Sequence, residues 1–108
     1  MALQSDHRMP DKDDDVALQA AEAVWGIGRR AEVLPYFVRG LKAKTATARV
    51  RAARDLGNMG ADAKPAVPDL VAAYQDRDST VRREAYRTLF SLDRETAKKL
   101  GDPEAEGK

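Results

Sequence analysis

Apolar residues recur along the chain at spacings of four, four and three. The sets are Val16, Ala20, Val24 and Ile27; then Ala48, Ala52, Leu56 and Met59; then Val81, Ala85, Leu89 and Leu92. Each spacing holds its residues on one face of a helix. Successive sets lie about 33 residues apart, a period typical of helical solenoids. Between them runs a second shared element. Val33-Leu34-Pro35-Tyr36-Phe37-Val38-Arg39-Gly40-Leu41 aligns with Ala66-Val67-Pro68-Asp69-Leu70-Val71-Ala72-Ala73-Tyr74. The pattern predicts two helices per repeat, an A helix and then a B helix.

The breakers agree with this reading. Pro35 and Pro68 suit the first turn of a B helix, where the missing N–H costs nothing. Gly28 and Gly60 suit the end of an A helix. Asp78, Ser79 and Thr80 are candidate N-caps for the third A helix. The third repeat lacks a Val-Pro B helix. In its place Asp93-Arg94-Glu95-Thr96-Ala97-Lys98-Lys99-Leu100 forms a short polar helix before Gly101. The expected fold is all-α, a short α-solenoid of about two and a half helical hairpins. Repeats are expected over residues 13–44, 45–77 and 78–100, flanked by flexible tails at 1–12 and 101–108.

The wheel also assigns faces. Leu34, Phe37, Val38 and Leu41, with Val67, Leu70, Val71 and Tyr74, are expected to face the core. That leaves Tyr36, Arg39 and Ala43, then Asp69, Ala72 and Asp76, on the outer B surface. Such a surface is the usual binding face of a solenoid. The A helices turn Gln19 and Glu22, then Arg51, Arg54 and Asn58, then Glu84, Arg87 and Ser91, toward solvent. Trp25 shares an edge with Leu18 and Ala21. It is expected to pack on the next repeat or to cover an open end of the stack. Arg49 and Arg82 interrupt the apolar arcs of their helices. A guanidinium so placed requires carboxylate partners.

Val50-Arg51, Ala53, Leu56-Gly57 and Met59-Gly60, followed by Ala66-Val67-Pro68-Asp69-Leu70 and Asp76-Arg77-Asp78, resemble HEAT repeats. The likeness is closest to the HEAT-like type also found in phycobilisome lyases, and covers roughly residues 13–93. It implies a helical solenoid that works by binding, and a ladder in which such arginines meet loop aspartates, here Asp76 or Asp78. It also brings in a lyase-like or chaperone-like role on a pigment protein as the remotest reading.

Composition narrows the chemistry. The 108 residues contain no Cys, which removes disulfides, thiol catalysis and Cys-ligated metals. The single His7 lies in an expected tail, without fixed geometry for acid–base work. No phosphate loop, metal spacing or nucleophile elbow is present, so no enzyme activity, cofactor or metal is expected. The net charge is +1, which favours no partner class. Charge is nevertheless uneven. The segment 29–54 carries Arg29, Arg30, Arg39, Lys42, Lys44, Arg49, Arg51 and Arg54 against one acid, Glu32.

The first functional expectation is a non-catalytic protein-interaction scaffold, with Tyr36, Arg39, Asp69, Ala72 and Asp76 as partner-binding residues. The alternative is nucleic-acid or acidic-partner binding through the basic segment, with Arg29, Arg30, Lys42, Lys44, Arg51 and Arg54 as its contacts. The small size of the stack leads to an expectation of self-association through one end. No signal segment and no apolar span of membrane length is present, so a cytoplasmic protein is expected, with no membrane partner.

Overall fold

The structure is a computed structural model that describes residues 10–28 and 31–103. Helix α1 spans Pro10–Gly28, α2 Leu34–Gly40, α3 Ala46–Met59, α4 Val67–Ala73, α5 Ser79–Leu92 and α6 Arg94–Leu100. Short 3-10 segments at Ala31–Val33 and Gly60–Ala66 lead into α2 and α4. The hairpins α1/α2, α3/α4 and α5/α6 stack into a short all-α solenoid, and no strand occurs among the described residues.

Local chemistry sets the ends. The Thr45 hydroxyl accepts from the Ala48 N–H at 3.2 Å and opens α3. Asp78 Oδ1 accepts from Thr80 N at 2.8 Å and Val81 N at 3.0 Å, making Asp78 the cap of α5. Asp93 caps α6, accepting from the Thr96 N–H and hydroxyl. These bonds satisfy N–H groups that a helix start leaves unpaired. Pro35 and Pro68 occupy the first turns of α2 and α4. Gly60 ends α3 with φ of 65°, a conformation that glycine adopts without steric cost.

The core is built largely from alanine and leucine. Ala48, Ala52, Leu56 and Met59 on α3, and Val81, Ala85, Leu89 and Leu92 on α5, are buried as the spacing predicts. Phe37 and Leu70 are the central anchors of α2 and α4. Each of these B helices packs on the next A helix, α2 on α3 and α4 on α5. At the first of these seams Gly40 lies so close to α3 that a Cβ there would stand 2.8 Å from Ala52 Cβ. At the α3–α5 seam a Cβ on Gly57 would meet Thr88 Oγ1 at 3.2 Å. The Thr88 hydroxyl donates to the Ala53 carbonyl at 2.9 Å across the same seam. Small residues let the helices approach, and close approach lets a core poor in aromatics reach full packing.

Four sequence expectations need correction. Residues 10–12, placed in the N-terminal tail, belong to α1. The α1 row Val16, Ala20, Val24 and Ile27 is exposed, while Leu18 and Ala21 are buried and Trp25 packs against the core. The reason lies in the stacking. The matching row on α3 is covered by the preceding B helix, and no hairpin precedes α1 among the described residues. Helix α1 therefore buries the edge that faces α2 and α3. Ala43, expected on the outer B surface, is buried in the turn before α3. Finally, the A-helix polar stripes are not simply solvated, because they join neighbouring A helices through ion pairs. Residues 1–9 and 104–108 of the expected tails lie outside the described residues.

Candidate interaction surfaces

Arg49 is 7% exposed at the base of α3. Its Nη1 donates to the Ala43 carbonyl at 2.8 Å and the Lys44 carbonyl at 3.0 Å. Its Nη2 donates to Asp76 Oδ1 at 3.2 Å. Its Nε lies 2.9 Å from Asp76 Oδ2, an ionic contact set off the N–H axis. Arg82, one repeat later, reaches back by the same six residues, with Nη1 donating to the Asp76 carbonyl at 2.8 Å. Both arginines thus fasten the turn before their own helix. The carboxylate of Asp76 also accepts from the Asp78 N–H at 2.9 Å. Of the ladder implied by the resemblance one carboxylate rung is present, Arg49 on Asp76, while Arg82 meets the main-chain carbonyl of the same residue. The Asp76 side chain is thus committed to internal contacts with Arg49 and Asp78.

The A face carries two further seams. Between α1 and α3, Arg51 pairs with Glu22, beside Asp55. Asp55 Oδ2 is buried without a donor. Burial, then the hydrogen bond and charge of Glu22, push the Asp55 carboxyl up to about 8. Burial acts on Glu22 as well, but hydrogen bonds with Asp55 and Arg51 and the Arg51 charge outweigh it and hold Glu22 below its ordinary value. The site thus favours the protonated form of Asp55 and the ionised form of Glu22. Between α3 and α5, buried Glu84 meets Arg54 at 3.5 Å and Arg87 at 4.0 Å. The pairs Arg51–Glu22 and Arg54–Glu84 cannot be read from one helix alone, since each acid lies on a neighbouring repeat.

The described cations of the basic segment lie on different faces. Arg49 is internal, Arg51 and Arg54 lie on the A face against acids, and Lys42 reaches Asp69 at 3.8 Å between the B helices. Lys44 is exposed in the turn before α3, and its carbonyl serves Arg49. Arg29 and Arg30 lie outside the described residues. Phosphate recognition depends on several cations converging on one track, and these diverge.

The B surface retains exposed Tyr36, Arg39 and Ala72, with Asp69 half-buried beside Lys42. Tyr36 is 50% exposed and stands at the rim of an apolar groove of about 260 Å³. The groove runs between α1 and α2 and is lined by Ala17, Ala20, Ala21, Val24, Val33 and Tyr36. The sequence reading placed Tyr36 at a surface but missed the groove, because it grouped Ala20 and Val24 with the rows that α3 and α5 bury. The competing apolar edge Leu18, Ala21 and Trp25 was the available signal.

The far end of the stack is closed. Tyr74 and Tyr86 lie 6.5 Å apart between ring centroids, and Tyr86 and Phe90 5.9 Å apart. Arg94 covers the Phe90 ring at 4.8 Å. Tyr74 also bonds the end of α6 through its hydroxyl. Among the described residues no cluster of His, Cys, Asp or Glu could hold a metal, and no helix is long and apolar enough to cross a membrane.

A family profile described as HEAT repeats matches residues 7–89. No curated protein and no solved structure matches the chain.

Proposed function

Because the chain belongs to the HEAT-repeat family, we propose that it is a non-catalytic module that binds another protein through the first repeat. The observation that carries this reading is Tyr36, half-exposed at the mouth of an apolar groove, with exposed Arg39 on the same helix. Tyr and Arg are enriched at the centres of protein interfaces, where a flat apolar ring and a multidentate cation gain most from exclusion of water. HEAT repeats commonly mediate such contacts. The paired and divided cations of the A face give no comparable support to nucleic-acid binding. The same reading includes contact between copies through the first-repeat end, where α1 leaves an apolar row uncovered.

Affinity capture from the native lysate tests the proposal. The intact chain is compared with a Tyr36→Ser/Arg39→Glu variant of equal helicity. A protein retained by the former and lost by the latter supports it. An identical captured set for both overturns it.

A further inference from the structure

We propose that two copies of this chain pair antiparallel through the exposed row of α1. Val16, Val24 and Ile27 are 61%, 38% and 88% exposed, yet their counterparts on α3 and α5 are buried. The stacking rule explains what is missing. In α3 the row faces the preceding B helix, with Ala52 set against Gly40 of α2. The row on α1 is similarly apolar, and among the described residues no helix lies over it.

Three considerations select a second copy as the cover. The first is area. With Tyr36 the row offers on the order of 400 Å² of apolar side chain per copy, so a symmetric pair buries at most about 800 Å², below a standard interface and in the range of a weak, transient one. The second is shape. Antiparallel copies related by a twofold axis midway between Ala20 and Val24 set Val24 against the partner's Ala20. The same operation sets Ile27 against the partner's Ala17, and Val16 against the partner's Gly28. Each bulky residue then meets a small one, the arrangement that lets two helices interdigitate. The third is closure. At the other end α6 packs on α5 and Tyr74 and Tyr86 pack against the core, leaving Phe90 37% exposed beneath Arg94, a smaller apolar patch than the α1 row. One self-complementary patch makes a closed pair, whereas two complementary ends would make a filament.

The inference rests on reading the chain as a protein-binding module. Sedimentation velocity of the full chain, from a few to several hundred micromolar, tests it. The intact chain shifts from monomer to dimer within that range. Ile27→Lys and Ala17→Glu each move the midpoint at least tenfold higher, with far-UV circular dichroism unchanged. An equimolar mixture of the two variants recovers dimer, because position 17 of one copy faces position 27 of the other. A chain that stays monomeric throughout overturns the proposal, as does an Ile27→Lys variant that associates like the parent. A mixture no better than its components overturns the antiparallel pairing. A monomeric chain whose captured protein is still lost on substitution of Tyr36 and Arg39 sinks the dimer and leaves the binding module standing.

Discussion

The Nε of Arg49 lies 2.9 Å from Asp76 Oδ2, although 27 residues separate the two. The contact joins the foot of α3 to the turn before α5. With the Ala43 and Lys44 carbonyls it surrounds a guanidinium that the fold has nearly removed from water. Such a group is costly to bury and more costly to orphan.

Arg49→Met removes the cation and leaves Asp76 and two carbonyls without their donor. The expected loss is about 3 kcal/mol of unfolding free energy, the scale of breaking a buried pair from one side. Urea titration followed by circular dichroism measures it. Asp76→Asn keeps an acceptor for the Asp78 N–H and costs less.

Gly40→Ala sets helix propensity against space. Propensity alone favours alanine by about 1 kcal/mol. The added Cβ meets Ala52 Cβ at 2.8 Å, and neither atom can rotate away. The α2–α3 seam must open, so the net effect is a loss of about 1–3 kcal/mol. A raised melting temperature for this variant contradicts the close packing described above.

Asp55 gives stability a definite pH dependence. Its carboxyl is pushed up to about 8 in the fold, from an ordinary 3.8. Between these values the folded chain holds a proton that the unfolded chain releases. The contribution of Asp55 is therefore fully present below pH 4 and is lost as pH rises through 8. Thermal melts from pH 5 to 9 should show declining stability, with a slope no steeper than about 1.4 kcal/mol per pH unit for one proton. Asp55→Asn supplies a permanent donor to Glu22. It should flatten the decline and be the more stable protein at pH 9.

The Tyr74 hydroxyl lies 2.8 Å from the Leu100 carbonyl and 2.6 Å from that of Gly101. Its single proton serves both and ties down the end of α6. Tyr74→Phe should cost about 1 kcal/mol. Amide hydrogen exchange should quicken in α6 and remain unchanged in α3.

Much of the fold was legible because helical periodicity is a local property. The rows of α3 and α5, the prolines of α2 and α4, and the caps Asp78 and Gly60 follow from side-chain chemistry within a few residues. The partner of Arg49 was narrowed to Asp76 or Asp78 by resemblance to the repeat family, not by the wheel. The candidate site was only partly legible. Tyr36 and Arg39 emerged as surface residues, while the groove beside them did not, because it depends on which edge α1 buries.

The chain's own pattern determined that amphipathic helices would form in pairs, roughly where they would break, and which residue types each would present. Tertiary structure alone decided which of two apolar edges of α1 turned inward, and which acid met each cation. The physical reason is that a row is buried only when another helix lies over it. The spacing Val16, Ala20, Val24, Ile27 repeats that of Ala48, Ala52, Leu56, Met59, but among the described residues only the latter has a preceding B helix as its cover.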